Sequence, residues 1–124
     1  MPQNIIPGLT FVPQADRAHP WVVLSTPMPH DPRVLVVNWT TLRESCVDDT
    51  CFLDVGDHPL IDHRSTMAYS RAKLWDSTKI AFAIDQGAIS AVASVSATLL
   101  ARIIAGAKRS RELSAEYRSY IEPH

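Results

Sequence analysis

The sequence predicts a mainly β protein, a small barrel with a C-terminal α-helix packed on it. Two observations carry that prediction. Most of the first three quarters breaks into short β-branched and aromatic runs stopped by proline, glycine or aspartate. After "DQG" (85–87) the apolar period lengthens to that of a helix. At 124 residues the chain is long enough for one domain, taken here as 1–124, with its own core.

The strands are expected within about residues 9–84 and the helices within about 88–121. "LTFVP" (9–13) is a first short strand closed by Pro13, and "HPWVVLSTPM" (19–28) a second between Pro20 and Pro27. "PMPHDP" holds three prolines in six residues and reads as a loop. "RVLVVNWTT" (33–41) is the central strand, and "TCFLDV" (50–55) is a fourth, ended by Gly56 and Asp57. "STMAYSRAKLWD" (65–76) reads as a fifth, bent strand, and "IAFAI" (80–84) as a sixth or the approach to a helix. Ile89, Val92, Val95, Leu99 and Ile103 then form one apolar stripe of a helix over about 89–106, packed on the barrel through Ile89, Val92, Leu99 and Ile103. Gly106 and "KRSR" suit its negative end, and Ser114 caps a second short helix.

Composition narrows the function. A net charge of −1 lacks the overall basic excess usual in proteins that live on nucleic acid. The charge is uneven, however: Glu44 to Asp62 holds six acids and no Lys or Arg, whereas the segment from Arg102 onward carries most of its charge as arginine and lysine. Any RNA should therefore avoid the acidic stretch. No apolar run reaches the ~20 residues that span a bilayer, and the start has no signal-peptide pattern. With two cysteines the expected compartment is the reducing cytoplasm.

The segment "ESCVDDTCFLDVGDHPLIDHRS" (44–65) concentrates the reactive side chains. Cys46-x4-Cys51 and His58-x4-His63 have pair spacings that zinc accepts, but only six residues separate the pairs, too few for a usual finger. Cys51 also sits in an apolar strand pattern, where a buried thiol is common. Neither a metal nor any other cofactor is expected. Cysteine nucleophilicity is disfavoured because acids flank Cys46. Histidine acid–base chemistry remains, since imidazole titrates near neutrality. His19, His58 and His63 all lie at strand edges, although each taken singly reads first as a hydrogen-bonded or surface histidine. His19 and His58 each precede a proline, which holds the backbone extended.

"HPWVVLS" (19–25), "VNWTT" (37–41) and "RSTMAYSRAK" (64–73), with the helix that follows, resemble the MazF/PemK family of toxin endoribonucleases. The resemblance implies an SH3-like barrel, usually a homodimer, that cuts single-stranded RNA without metal and pairs with an antitoxin. The family's catalytic pair is an arginine just before the proline and the first threonine of the Thr pair. The threonine matches Thr40; the arginine position is His19, with Arg17 two residues earlier. The resemblance thus implies a catalytic Thr40; transesterification also needs a proton acceptor, a proton donor and positive charge near the phosphate, roles that fit His19 as base or acid, Arg17 as the charge and His58 or His63 as the second proton-transfer residue. It places RNA contacts on Thr41, Arg64, Ser65, Arg71 and Lys73. A barrel that binds nucleic acid or protein without cleaving is the alternative from another class, since a fold does not fix its function. An isolated zinc domain ranks behind both.

Overall fold

The computed structural model describes residues 4–17, 19–42 and 49–121. Among these residues seven strands form one antiparallel sheet: β1 (Thr10–Pro13), β2 (Trp21–Val23), β3 (Arg33–Thr41), β4 (Phe52–Leu53), β5 (Ser65–Met67), β6 (Lys73–Asp76) and β7 (Ile89–Val92). The order is β4-β5-β3-β2-β1-β7, with β6 also paired to β3. Among the described residues no ladder joins β7 to β4, so the sheet is open along that path. Helix α1 (Ser77–Gln86) links β6 to β7, and α2 (Ala97–Arg109) and α3 (Ala115–Arg118) follow.

β3 organises the rest because its apolar residues serve both faces. Leu35, Val37 and Trp39 enter one core with Val22, Leu53, Met67, Leu99 and Ile103. Val34 and Val36 enter the other with Phe11, Trp21, Val23 and Ile80. A strand buried on two sides reads as a continuous apolar run, as "VLVVNW" does. α2 therefore lies over one face, while Ile80 of α1 packs into the other.

The expected bent strand at 65–76 is two strands joined by a 3₁₀ turn at Tyr69–Arg71. Met67 of β5 pairs with Trp39, and Lys73 of β6 pairs with Val36, so both strands share one edge of β3.

One open reading is decided and one expectation is corrected. "IAFAI", readable as a strand or as the approach to a helix, is part of α1. Asp76 caps that helix by accepting from the Thr78 backbone N–H at 2.8 Å, and Gly87 closes it in the left-handed conformation, φ 82°. The next helix does not begin at Ile89. Ile89 and Val92 lie in β7, where Ile89 pairs with Pro13 and Val92 with Thr10. α2 starts after Ser96, whose hydroxyl accepts from the Leu99 N–H at 3.0 Å. Leu99 and Ile103 do pack on the sheet, joined by Gly106 and Ala107. α3 follows Ser114 as its N-cap, as the sequence suggests.

Candidate functional site

Cross-strand register builds a polar row on the face opposite α2. Trp21 pairs with Asn38, and the Trp39 N–H donates to the Pro20 carbonyl at 3.4 Å. His19 stands one residue before Pro20, in a bend just outside that ladder. Thr40 pairs with Thr66, and Thr66 with Phe52. Directly opposed residues in an antiparallel pair share a face. The row is thus Thr40, Thr66 and Phe52, with His19 in the bend before β2, while the neighbouring row of Trp39, Met67 and Cys51 faces the α2 core.

His19 is held by Asp16. Its Nδ1 lies 3.0 and 2.9 Å from the two carboxylate oxygens. An ionised carboxylate only accepts, so Nδ1 carries the proton and donates, which leaves Nε2 as the basic nitrogen. The side chain of His19 is 29% exposed, open enough to meet a substrate. Thr40 is half-buried, and Thr66 is buried with its hydroxyl donating to the Cys51 carbonyl at 3.3 Å. Arg17 lies in the same loop as His19. Its Nη1 donates to Gln14 at 3.0 Å, and among the described residues it forms an ion pair with no carboxylate.

The other expected residues divide. His58 is buried at 4% exposure and packs on Trp39 with ring centroids 5.2 Å apart. Its Nδ1 accepts from the Leu60 N–H at 3.1 Å, so Nε2–H donates to the Ala93 carbonyl, 2.5 Å away. Both nitrogens are occupied, and the ring ties the 56–64 loop to the segment before α2. The structure does not bring it to His19. His63 is exposed on that loop, 3.8 Å from Asp62. Ser65 is buried in the row beside Thr41 and Leu53, with its hydroxyl donating to the His63 carbonyl at 2.9 Å. Arg64 pairs with Asp54 at 3.3 Å and lies over Phe52, 4.8 Å from the ring centroid. Arg71 and Lys73 are exposed, on the 3₁₀ turn and on β6.

Cys46 of the four-residue zinc pattern lies outside the described residues. Cys51 is buried, and burial pushes its thiol pKa up. Among the described residues no group of three or more His, Cys, Asp or Glu is placed to hold a metal ion.

Three residues escaped the sequence reading. Asp16 had a signal, its spacing of three before His19. Thr66 had none, because one threonine in a strand is ordinary. Asn38 is a lone amide within an apolar run; it is 3% exposed, and its Oδ1 meets no donor among the described residues. It stands two residues before Thr40 on the same face.

Comparison with protein-family models, with curated proteins and with solved structures finds no match.

Proposed function

We propose that the protein is a metal-independent endoribonuclease of MazF/PemK type on an SH3-like barrel, acting on single-stranded RNA in the cytoplasm as a homodimer under control of an antitoxin. The observation that supports it best is the Asp16–His19 pair in the bend before β2, one residue from Pro20, whose carbonyl accepts from the N–H of Trp39, the neighbour of Thr40. His19 Nε2 takes the proton of a 2′-hydroxyl as its oxygen attacks the adjacent phosphorus. The bond from phosphorus to the 5′-oxygen breaks, and that oxygen takes a proton from water. The products are a 2′,3′-cyclic phosphate and a 5′-hydroxyl. Thr40 donates to a non-bridging phosphoryl oxygen, and Arg17 supplies the positive charge that the family draws from its arginine.

The test is cleavage of a single-stranded RNA in chelator, with cyclic phosphate ends as product. His19→Ala should cost about 100-fold or more in rate, the usual worth of a positioned base. Asp16→Asn should also slow cleavage, because an amide can hold the wrong tautomer. Thr40→Val keeps the branched shape and should lower the rate with an unchanged circular dichroism spectrum. Binding of RNA without any cleavage would replace the enzyme by a binding module.

A further inference from the structure

Beyond Phe52 the polar row runs into a cluster of arginines that the catalytic proposal leaves unused. A cavity of ≈ 380 Å³ at the edge strand β4 is lined by Phe52, Asp54, Arg64, Arg102 and Arg109, with Thr50, Cys51 and Ala105 completing its wall. Arg102 and Arg109 reach it from α2, seven residues apart and hence on one helix face.

These two arginines have a structural task. Among the described residues β4 pairs with β5 alone and ends the strand order. Arg102 Nη2 donates to the Phe52 carbonyl at 2.7 Å and Arg109 Nη2 to the Thr50 carbonyl at 2.9 Å. Such caps also blunt the edge against pairing with another chain. Capping does not use up their capacity, since a guanidinium has five N–H donors. Arg102 is also tied to Asp57 at 3.2 Å, and Arg64 to Asp54. Arg109 is exposed and, among the described residues, forms an ion pair with no carboxylate. The pocket borders the acidic stretch 44–62 that RNA was expected to avoid, but its own lining sets three guanidiniums, two of them brought by α2, against the single carboxylate of Asp54.

Position gives the charge a meaning. Phe52 closes the row that holds Thr40, two strand spacings away, or about 10 Å. Half-buried Phe52 and the Arg64 guanidinium over it make a flat shelf between row and arginines. Unpaired bases stack on aromatic rings and on guanidinium planes, and phosphates attract arginine forks.

We propose that this pocket is a second RNA subsite, in which the Phe52–Arg64 stack takes a base and Arg109, with Arg102, takes a backbone phosphate flanking the cleaved one. The inference rests on the endoribonuclease reading for the direction in which the RNA runs. It adds contacts by α2, an element outside the residues assigned to RNA so far.

The experiment measures binding of a fluorescent 2′-methoxy oligouridine octamer, which cannot be cleaved, as a function of salt. Arg109→Gln should weaken binding and reduce the slope of log K against log salt by about 0.7, the loss of one phosphate contact on a single strand. Phe52→Leu should weaken binding at least about fivefold with little change of slope, because it removes stacking and not charge. Lys108→Gln makes the same change in net charge outside the pocket and should leave affinity unchanged. Melting temperatures must match the wild type; if Arg109→Gln melts early, Arg109→Lys, which keeps the charge and loses the fork, takes its place and should weaken binding with an unchanged slope. Wild-type binding that Arg109 and Phe52 variants leave intact overturns the subsite and spares the catalytic reading. No wild-type binding at any salt overturns both.

Discussion

Gly106 sits where α2 comes closest to the sheet. A Cβ there would stand 2.7 Å from the Tyr69 hydroxyl, 2.8 Å from Cys51 Cβ and 2.8 Å from the Thr50 carbonyl oxygen. The last is backbone and cannot swing aside. Tyr69 is itself held, its hydroxyl donating to the Ile103 carbonyl at 2.6 Å. Alanine would gain about 1 kcal/mol of helix propensity, against about 1–3 kcal/mol for overpacking. With three contacts violated at once, overpacking wins. Gly106→Ala is therefore expected to destabilise by about 1–2 kcal/mol net, read as a lower denaturant midpoint at unchanged slope. A neutral or stabilising result would show that α2 can lift from β4 freely. The glycine was visible in the sequence as a helix-ending signal, but its actual reason, a close approach to residues some forty to sixty positions away, was not. Residue-level chemistry fared the same way. Thr40 could be picked by type, whereas its row with Thr66 and Phe52 depends on the β3–β5 and β5–β4 registers, which no local pattern states.

At the scale of the element, the caps rather than the apolar period decide the region between β6 and α2. "IAFAI" alternates in hydropathy only weakly, and its Phe82 is 66% exposed. What makes it helical is Asp76 before it and Gly87 after it, together with Ile80 as the anchor in the core. "ISAV" goes to a strand because β1 offers an open edge, and four residues pair with it. Tertiary pairing overrides a helical stripe that was real in the sequence but began too early. β3, by contrast, was fully legible, since a nine-residue β-branched run has few other uses. The cap argument can be tested alone. Asp76→Ala removes the acceptor for both the Thr78 N–H and its hydroxyl and should cost about 1 kcal/mol, as for a typical N-cap. Asp76→Ser should recover most of that. If alanine costs nothing, α1 is held by Ile80 packing and not by its cap.

For the molecule as a whole, the dependence of stability on pH follows from where its carboxylates are tied. Asp31 is held well below its ordinary value of 3.8, first by the Arg33 side chain and then by the Tyr120 hydroxyl. Asp76 is lowered by the Thr78 hydroxyl and backbone N–H, and Asp57 by the Asp54 N–H and then Arg102. A depressed folded-state pKa means that the native state prefers the charged form. The stabilisation is then complete above the unfolded value and is lost as pH falls through the folded one. All three losses begin near pH 4 and continue downward, so stability should be flat toward neutrality on their account and fall in acid. The Asp31 cluster also joins distant parts of the chain, because Arg33 begins β3 and Tyr120 follows α3. Tyr120 is the mirror case: its bond to Asp31 raises the phenol pKa, so that contribution is present below about 10 and is lost as pH rises through the folded value. Asp31→Asn keeps the shape of the side chain and removes the charge. It should lower the melting temperature at pH 7, and its deficit against the wild type should narrow steadily below pH 4, where the unfolded chain takes up a proton that the folded Asp31 still resists. A deficit that stays constant down to pH 2 would mean that shape and not charge links the C-terminal segment to the loop before β3.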